Sequence, residues 1–316
     1  MLRVLLVKTS SLGDVVHNFP VASDIRQKFP DASIDWIVEE PFVSLVQMHP
    51  EVRRVIPVAV RRWRKSVLGP KTWSEVGEFR RLSQSEHYDA IIDSQGLIKS
   101  AVVARMAKGR LHGFDAASAR EPLATRLYDV RHHVARGEHA VVRNRLLAAA
   151  ALGYRLEPEV NYGIHAMAIC GTERRFCVFL HGTSRSDKLW PEDDWVALGR
   201  QLNSMGISVI LPWGSDTEQR RSVSLAAAIP GSSVPGRMTI AQMAELMRSS
   251  AFIVGVDTGL THLAAALGCR VAALFVASDP RKTGVHGAAL ARNLGRIGSA
   301  PLSQDVMDAL VELKVL

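Results

Sequence analysis

The chain has 316 residues, of which 47% are hydrophobic and 22% charged, with a formal charge of +8 and a pI near 9.7. That length is long for one core and argues for two domains, and no apolar run approaches the roughly 18 residues of a membrane span. Cys170, Cys177 and Cys269 have no CxxC spacing, which argues against a structural zinc site and fits a reducing, cytoplasmic setting. The positive charge narrows the partners to something anionic: nucleic acid, a phosphorylated metabolite or an acidic membrane surface.

Leu2 to Val7 is a short continuous apolar run, the mark of a buried parallel strand. Lys8 interrupts it too early for a signal peptide. A turn of small and hydroxyl residues, Lys8 to Asp14, leads into a helix expected from Val15 to Lys28 and ended by Pro30. Strands are expected at Ser33–Val38, Val52–Val58 and Tyr88–Asp93, with a short fifth at Arg110–Gly113; helices are expected at Leu97–Ala107 and His139–Leu152. Tyr154 to Glu173 has scattered Gly and Pro and no period, and reads as a linker.

A second alternation follows. Strands are expected at Phe176–His181, Ile207–Pro212, Phe252–Val256 and Val271–Val276. Helices are expected at Glu192–Met205, Thr217–Ala228, Ile240–Arg248, Leu260–Leu267 and Gln304–Leu313. This order predicts an α/β protein of two Rossmann-like, doubly wound parallel-sheet domains facing a cleft, residues 1–156 and 157–316, with the last helix a candidate to pack back on the first domain. Ligands of such sheets bind beyond the carboxyl ends of strands, so the residues there carry the functional reading.

After the first strand stand Thr9-Ser10-Ser11-Leu12-Gly13-Asp14. An aspartate at a helix start is ordinarily a cap. Ser10 and Ser11 already offer capping oxygens, which would leave Asp14 to point into the cleft as a general base. After the third strand comes Arg61-Arg62-Trp63-Arg64-Lys65, with Lys71, Arg80 and Arg81 beyond it. It is either a solvated face or a flexible basic loop with an aromatic anchor for a phosphorylated, membrane-borne partner. No helix-turn-helix, zinc finger or RNA-recognition signature accompanies it, so nucleic acid is not expected.

His181-Gly182-Thr183-Ser184, with Lys188 further on, resembles a phosphate cradle, though without Walker spacing. Glu218 either holds a ribose or caps the next helix. The strand ending at Val256 turns at Asp257-Thr258-Gly259 into a helix whose N-terminus suits an anion such as a diphosphate. Asp257 can accept sugar hydroxyls, or be only an N-cap; His262 lies on the same helix face as Thr258, or is only a surface residue. His132, His133 and His139 invite a metal, but no ligand set completes a site, and surface histidines are the expectation.

Seven of these pieces stand together in order: Leu5 to His17, Arg61 to Lys65, Asp93 to Leu97, Ala119 to Ala124, Asp187 to Pro191, Leu211 to Gly214 and Val256 to His262. They resemble the lipopolysaccharide heptosyltransferases of glycosyltransferase family 9, which have the GT-B fold. The likeness is to the first rather than the second heptosyltransferase type, mainly through the Arg61–Lys65 and Arg120 segments. It covers nearly all of the chain up to about Asp279. The resemblance implies inverting, metal-independent transfer of L-glycero-D-manno-heptose from ADP-heptose to Kdo-lipid A, with no cofactor. It implies a cytoplasmic enzyme, peripheral on the inner leaflet of the inner membrane.

By that resemblance Asp14 matches the general base, and Lys188 a catalytic donor contact. Thr183, Ser184, Lys188, Glu218, Asp257, Thr258, Gly259 and His262 match donor contacts. Ser11, Gly13, Arg61, Arg62, Arg64, Lys65 and Arg120 match the acceptor side. Ser184 departs from a threonine but keeps the hydroxyl. Two other classes fit two α/β lobes: a secreted ligand-binding protein, which the apparent lack of a signal peptide disfavours, and a nucleotide-dependent oxidoreductase, which would need the GxGxxG that is missing after the first strand.

Overall fold

The structure is a computed structural model and describes residues 1–67, 69–164 and 176–316. Residues 165–173 of the expected linker, and Cys170 with them, lie outside the described residues. The chain divides into two compact units, Met1–Ile164 and His165–Leu316.

The first unit runs β1 (Arg3–Val7), α1 (Leu12–Val16), α2 (Phe19–Lys28), β2 (Ser33–Glu39), α3 (Val43–Val46), β3 (Val52–Val58), α4 (Val60–Trp63), α5 (Pro70–Ser83), β4 (His87–Asp93), α6 (Ile98–Arg105), β5 (Lys108–Phe114), β6 (Val130–His132) and α7 (Ala140–Leu152). The strands form one parallel sheet in the order β3-β2-β1-β4-β5-β6. β1 is central and its apolar residues Val4 to Val7 are buried, as a doubly covered strand requires. The single helix expected over Val15–Lys28 is two helices. Pro20 has no N–H to give and is tolerated only in a first turn, so the chain restarts at Phe19. Arg145 of α7 and Asp24 of α2 form a buried two-point ion pair at 2.8 and 2.9 Å. Arg145 also donates to the carbonyls of Glu157 and Glu159 at 3.1 and 2.6 Å, which ties that stretch to the first unit.

The second unit runs β7 (Phe176–Leu180), α8 (Glu192–Ser204), β8 (Ser208–Ile210), α9 (Asp216–Ala228), α10 (Ile240–Ser249), β9 (Ile253–Val256), α11 (Gly259–Ala266), β10 (Val271–Phe275), α12 (Pro280–Thr283), β11 (Ala291–Gly295) and α13 (Ser303–Glu312). Its sheet is parallel in the order β11-β10-β9-β7-β8. Trp195 sits between Phe179 and Trp190, with ring centroids 4.7 and 4.9 Å away. The last helix, a candidate in the sequence for return to the first domain, buries Val306, Met307 and Leu310 in this second core and packs on α8. Among the described residues no helix is long and apolar enough to cross a membrane.

Each sheet reverses its strand order once, between β1 and β4 in the first and between β7 and β9 in the second. At such a reversal the connections leave to opposite faces and open a crevice at the strand ends. The two reversals place the turns after β1, β4, β7 and β9.

Candidate active site

In the first unit the turns after β1 and β4 are bound to each other. Lys8 is buried at the end of β1, and its Nζ donates to the Ser94 carbonyl at 2.7 Å and to Asn144 Oδ1 at 3.3 Å. The Ser10 amide donates to Gln95 Oε1 at 3.3 Å. Buried Asp93 shapes the β4 turn by accepting from the Gln95 amide at 2.9 Å and from the Ser100 and Tyr128 hydroxyls at 2.8 Å each. Gly96 has φ +66°, and a Cβ there would lie 3.3 Å from the Arg120 amide. The glycine therefore lets the segment carrying Arg120 lie against this turn, where the Glu121 amide donates to the Gly96 carbonyl at 3.0 Å.

Arg120 is thereby delivered to Asp14, with Nη2 donating to Oδ1 at 2.6 Å. The other carboxylate oxygen accepts from the Ser11 amide at 3.0 Å and the Ser11 hydroxyl at 3.3 Å. This corrects the expectation that Ser10 and Ser11 release Asp14 from capping. Asp14 is the third residue of α1, the position from which an acid reaches back to the N-cap amide, and the Ser10 amide is already given to Gln95. Burial alone would raise the Asp14 pKa; the charges of Lys8 and Arg120 outweigh it and hold the carboxyl well below its usual range. Lys8 itself is pushed down to about 8 by its burial.

In the basic stretch Arg61, Arg62 and Trp63 lie in α4, and Arg64 and Lys65 form the turn after it. Arg62 pairs with Glu40 at 2.8 Å and Glu75 at 2.7 Å. Trp63 donates to Glu75 at 2.8 Å and packs on Phe79, so it anchors α4 to α5 instead of facing out. The Arg61 guanidinium lies 6.0 Å from the Phe42 ring. Arg64 and Lys65 are exposed, with no ion-pair partner among the described residues.

In the second unit Asp257 is the hub. Its Oδ2 accepts from Lys188 Nζ at 2.6 Å and from the Ser278 hydroxyl at 2.5 Å, and Oδ1 faces His262 Nε2 at 3.3 Å. Thr183 Oγ1 donates to the Asp257 carbonyl at 3.2 Å, joining the β7 turn to the β9 turn. The N-cap of α11 is Thr258, and His262 is buried, so neither plain reading of these residues holds. Burial would raise the Asp257 pKa, but hydrogen bonds from His262, Lys188 and Ser278 hold it well below the usual carboxylate range. Ser184 is exposed on the same turn as Thr183.

Glu218 takes the capping role. Its Oε2 accepts from the Gly214 and Ser215 amides at 2.7 and 3.1 Å, and the Ser215 hydroxyl accepts from the Glu218 amide at 3.3 Å. Its other oxygen would be 2.6 Å from a Cβ on Gly182, so any side chain in the β7 turn there would push Glu218 aside.

Of the three histidines expected at the surface, His139 is buried and caps α7 by accepting from the Val141 amide at 3.2 Å. His132 stacks on His112, and His133 pairs with Asp115 at 2.9 Å. Lys8 and Ser278 escaped the sequence reading. Both stand just past a strand end, β1 and β10, so the rule that directed attention to Asp257 reaches them too.

The sequence profile of glycosyltransferase family 9 (heptosyltransferase) matches residues 77–307. Lipopolysaccharide heptosyltransferase 1 of Escherichia coli K12 is 43% identical over 291 residues, spanning 90% of this chain and 91% of the relative. The chain belongs to glycosyltransferase family 9. Another member of the family, lipopolysaccharide heptosyltransferase 1 of Pseudomonas aeruginosa, is 44% identical over 295 residues, spanning 90% of this chain and 82% of its own. The E. coli heptosyltransferase WaaC with ADP superposes with a TM-score of 0.90 at 38% identity, over 99% of this chain and 100% of that one. The same enzyme with ADP-2-deoxy-2-fluoro heptose gives 0.87, over 98% and 99%. The two parallel-sheet domains are thus the GT-B fold of family 9, and the chain is a glycosyltransferase. In this family-9 chain the first sheet brings Ser11, Gly13, Asp14 and Arg120 to one turn. The second brings Thr183, Lys188, Asp257, Thr258, Gly259 and His262 together.

Proposed function

We propose that the chain transfers L-glycero-D-manno-heptose from ADP-heptose to a Kdo hydroxyl of Kdo-lipid A, inverting the anomeric carbon. The observation that carries this reading is the Lys188–Asp257–His262 cluster beside the N-terminus of α11 at the β7/β9 reversal. A nucleoside diphosphate leaving group needs its developing negative charge met. Lys188, the Thr183 and Ser184 hydroxyls and the amides of Thr258 and Gly259 supply positive potential there, and the ribose takes the Glu218 oxygen that capping does not use. Asp257 serves the sugar hydroxyls.

On the acceptor side Asp14 takes the proton of the attacking hydroxyl. Arg120 on its Oδ1 makes it a weak base in the free enzyme. An acceptor that carries a carboxylate, as Kdo does, gives Arg120 an alternative partner, and Asp14 regains basicity as the acceptor seats. Exposed Arg64 and Lys65, with Arg61, meet the acidic headgroup, and the enzyme works in the cytoplasm as a peripheral protein of the inner leaflet. The direct test is product analysis: ADP should appear only when donor and acceptor are both present, in step with acceptor consumed. ADP released equally well without acceptor would overturn the reading.

Two further results are expected. Activity should persist in excess chelator, because Lys188 and the helix N-terminus stabilise the departing diphosphate; loss of transfer restored by magnesium or manganese would contradict that account. Replacing Arg61, Arg64 and Lys65 together by alanine should raise the acceptor KM about tenfold at low salt and flatten its salt dependence, with donor KM unchanged. Arg62 is left out because it holds Glu40 and Glu75. Wild-type acceptor kinetics at low ionic strength would reduce these three to a solvated face.

A further inference from the structure

Between α4, α5 and α6 the first unit has an apolar cavity of about 320 Å³, in the size range of sites that bind ligands. Val76, Val103 and Met106 form its inner wall, and Val67, Trp73 and Val102 its rim. The rim residues are 55%, 62% and 44% exposed, and Ile98 beside them is 41% exposed. Exposed large apolar side chains gathered in one place mark an interaction site more often than a random surface.

The two charged side chains that line the cavity are both basic. Arg64 and Lys99 line it, and Lys65 and Lys71 flank it in the chain. None of the four has an ion-pair partner among the described residues, whereas nearby Arg62 is neutralised by Glu40 and Glu75. An apolar cavity under surplus positive charge is complementary to an amphiphile with an alkyl tail and an anionic head. Lys99 also places it: its Nζ reaches Ser10 Oγ at 3.4 Å, one residue before the serine that Asp14 caps. The cavity therefore adjoins the turn assigned to the acceptor.

We propose that this cavity takes one acyl chain of an anionic bilayer lipid, whose headgroup sits on Arg64, Lys65, Lys71 and Lys99. The proposal rests on the membrane contact proposed above and gives it a location. Docked this way, the enzyme holds the Ser10–Asp14 turn at the level of lipid headgroups, where a membrane-borne acceptor presents its sugars.

The test is co-sedimentation of the full chain with phosphatidylglycerol–phosphatidylcholine vesicles and with phosphatidylcholine alone. The variants are Val102→Asp and, on the exposed segment before α5, Val67→Asp. Wild type should bind the anionic vesicles and not the neutral ones. Each variant should bind about tenfold or more weakly, since a carboxylate in the cavity forfeits the transfer energy of several methylenes. ADP release with a water-soluble, deacylated acceptor should stay at the wild-type rate in both, which tests the transfer reading separately. Either variant binding anionic vesicles as tightly as wild type would overturn the proposal, as would wild type ignoring them. If an oligonucleotide displaced the vesicles and both variants bound it correspondingly weakly, the surface would belong to nucleic acid instead.

Discussion

Replacing Asp14 with asparagine is expected to lower turnover by about 10²–10⁴-fold, the range for a lost general base. Asparagine keeps an oxygen for the Ser11 amide, so the start of α1 survives; what is lost is the proton acceptor. Stability should change little, because the pair with Arg120 is partly solvated, with side chains 47% and 19% exposed, and such pairs contribute about 0–1 kcal/mol. The sign of the remaining effect is fixed. The Asp14 pKa is depressed in the folded state, so its contribution is present above the unfolded carboxylate pKa and is lost as pH falls through the folded one. Wild type and variant should therefore converge in melting temperature in acid. Donor affinity should also be unchanged, since the groups assigned to the donor lie in the second unit. A purely structural aspartate predicts near-normal single-turnover rates, because asparagine caps about as well. That result would remove Asp14 from the chemistry.

Lys188→Met should cost about 10²–10³-fold in turnover, the effect of removing one preorganised group from a developing anion. It has a second consequence that must be separated from the first. Asp257 is only 7% exposed and would keep its charge with Ser278 and His262 alone. Breaking one side of a buried pair costs about 3–5 kcal/mol when nothing replaces it, and the two remaining partners should hold the loss below that. The double variant Lys188→Met/Asp257→Asn removes the stranded charge. Its melting temperature should recover toward wild type while its turnover stays low. If turnover recovered as well, Lys188 would be only a counter-ion for Asp257.

Much of the architecture is legible in the chain because parallel strands buried on both faces are continuous apolar runs, and β1, β7, β9 and β10 are of that kind. The edge strands β6 and β11 are not, although the other two edges, β3 and β8, are expected from the sequence. β6 has three residues, and β11, Ala-Arg-Asn-Leu-Gly, has no β-branched side chain. Helix α5 hid for a related reason: only Thr72, Phe79 and Ser83 of its 14 residues are buried, so its apolar face is thin and its charges suggest a loop. The turns holding the candidate site residues were findable from strand ends alone. Their pairings were not. Arg120 lies 106 residues from Asp14 and Ser278 lies 21 from Asp257, and only the folded sheet sets such partners side by side. The choice between cap and base at Asp14, or between cap and ribose contact at Glu218, likewise turns on which amide each carboxylate faces.

The three partners of Asp257 bear on how the enzyme lets go. Lys188 and Asp257 satisfy each other at 2.6 Å. A diphosphate that draws Lys188 toward itself leaves the carboxylate short of a donor, and a sugar arriving with that diphosphate makes good the deficit through its hydroxyls. Once the sugar has left, the nucleotide offers only half of this exchange, and the lysine returns to the aspartate at the nucleotide's expense. If the donor seats as proposed, the same pair would rank intact donor above spent nucleotide, and above bare inorganic anions, leaving turnover less exposed to inhibition by its own by-product.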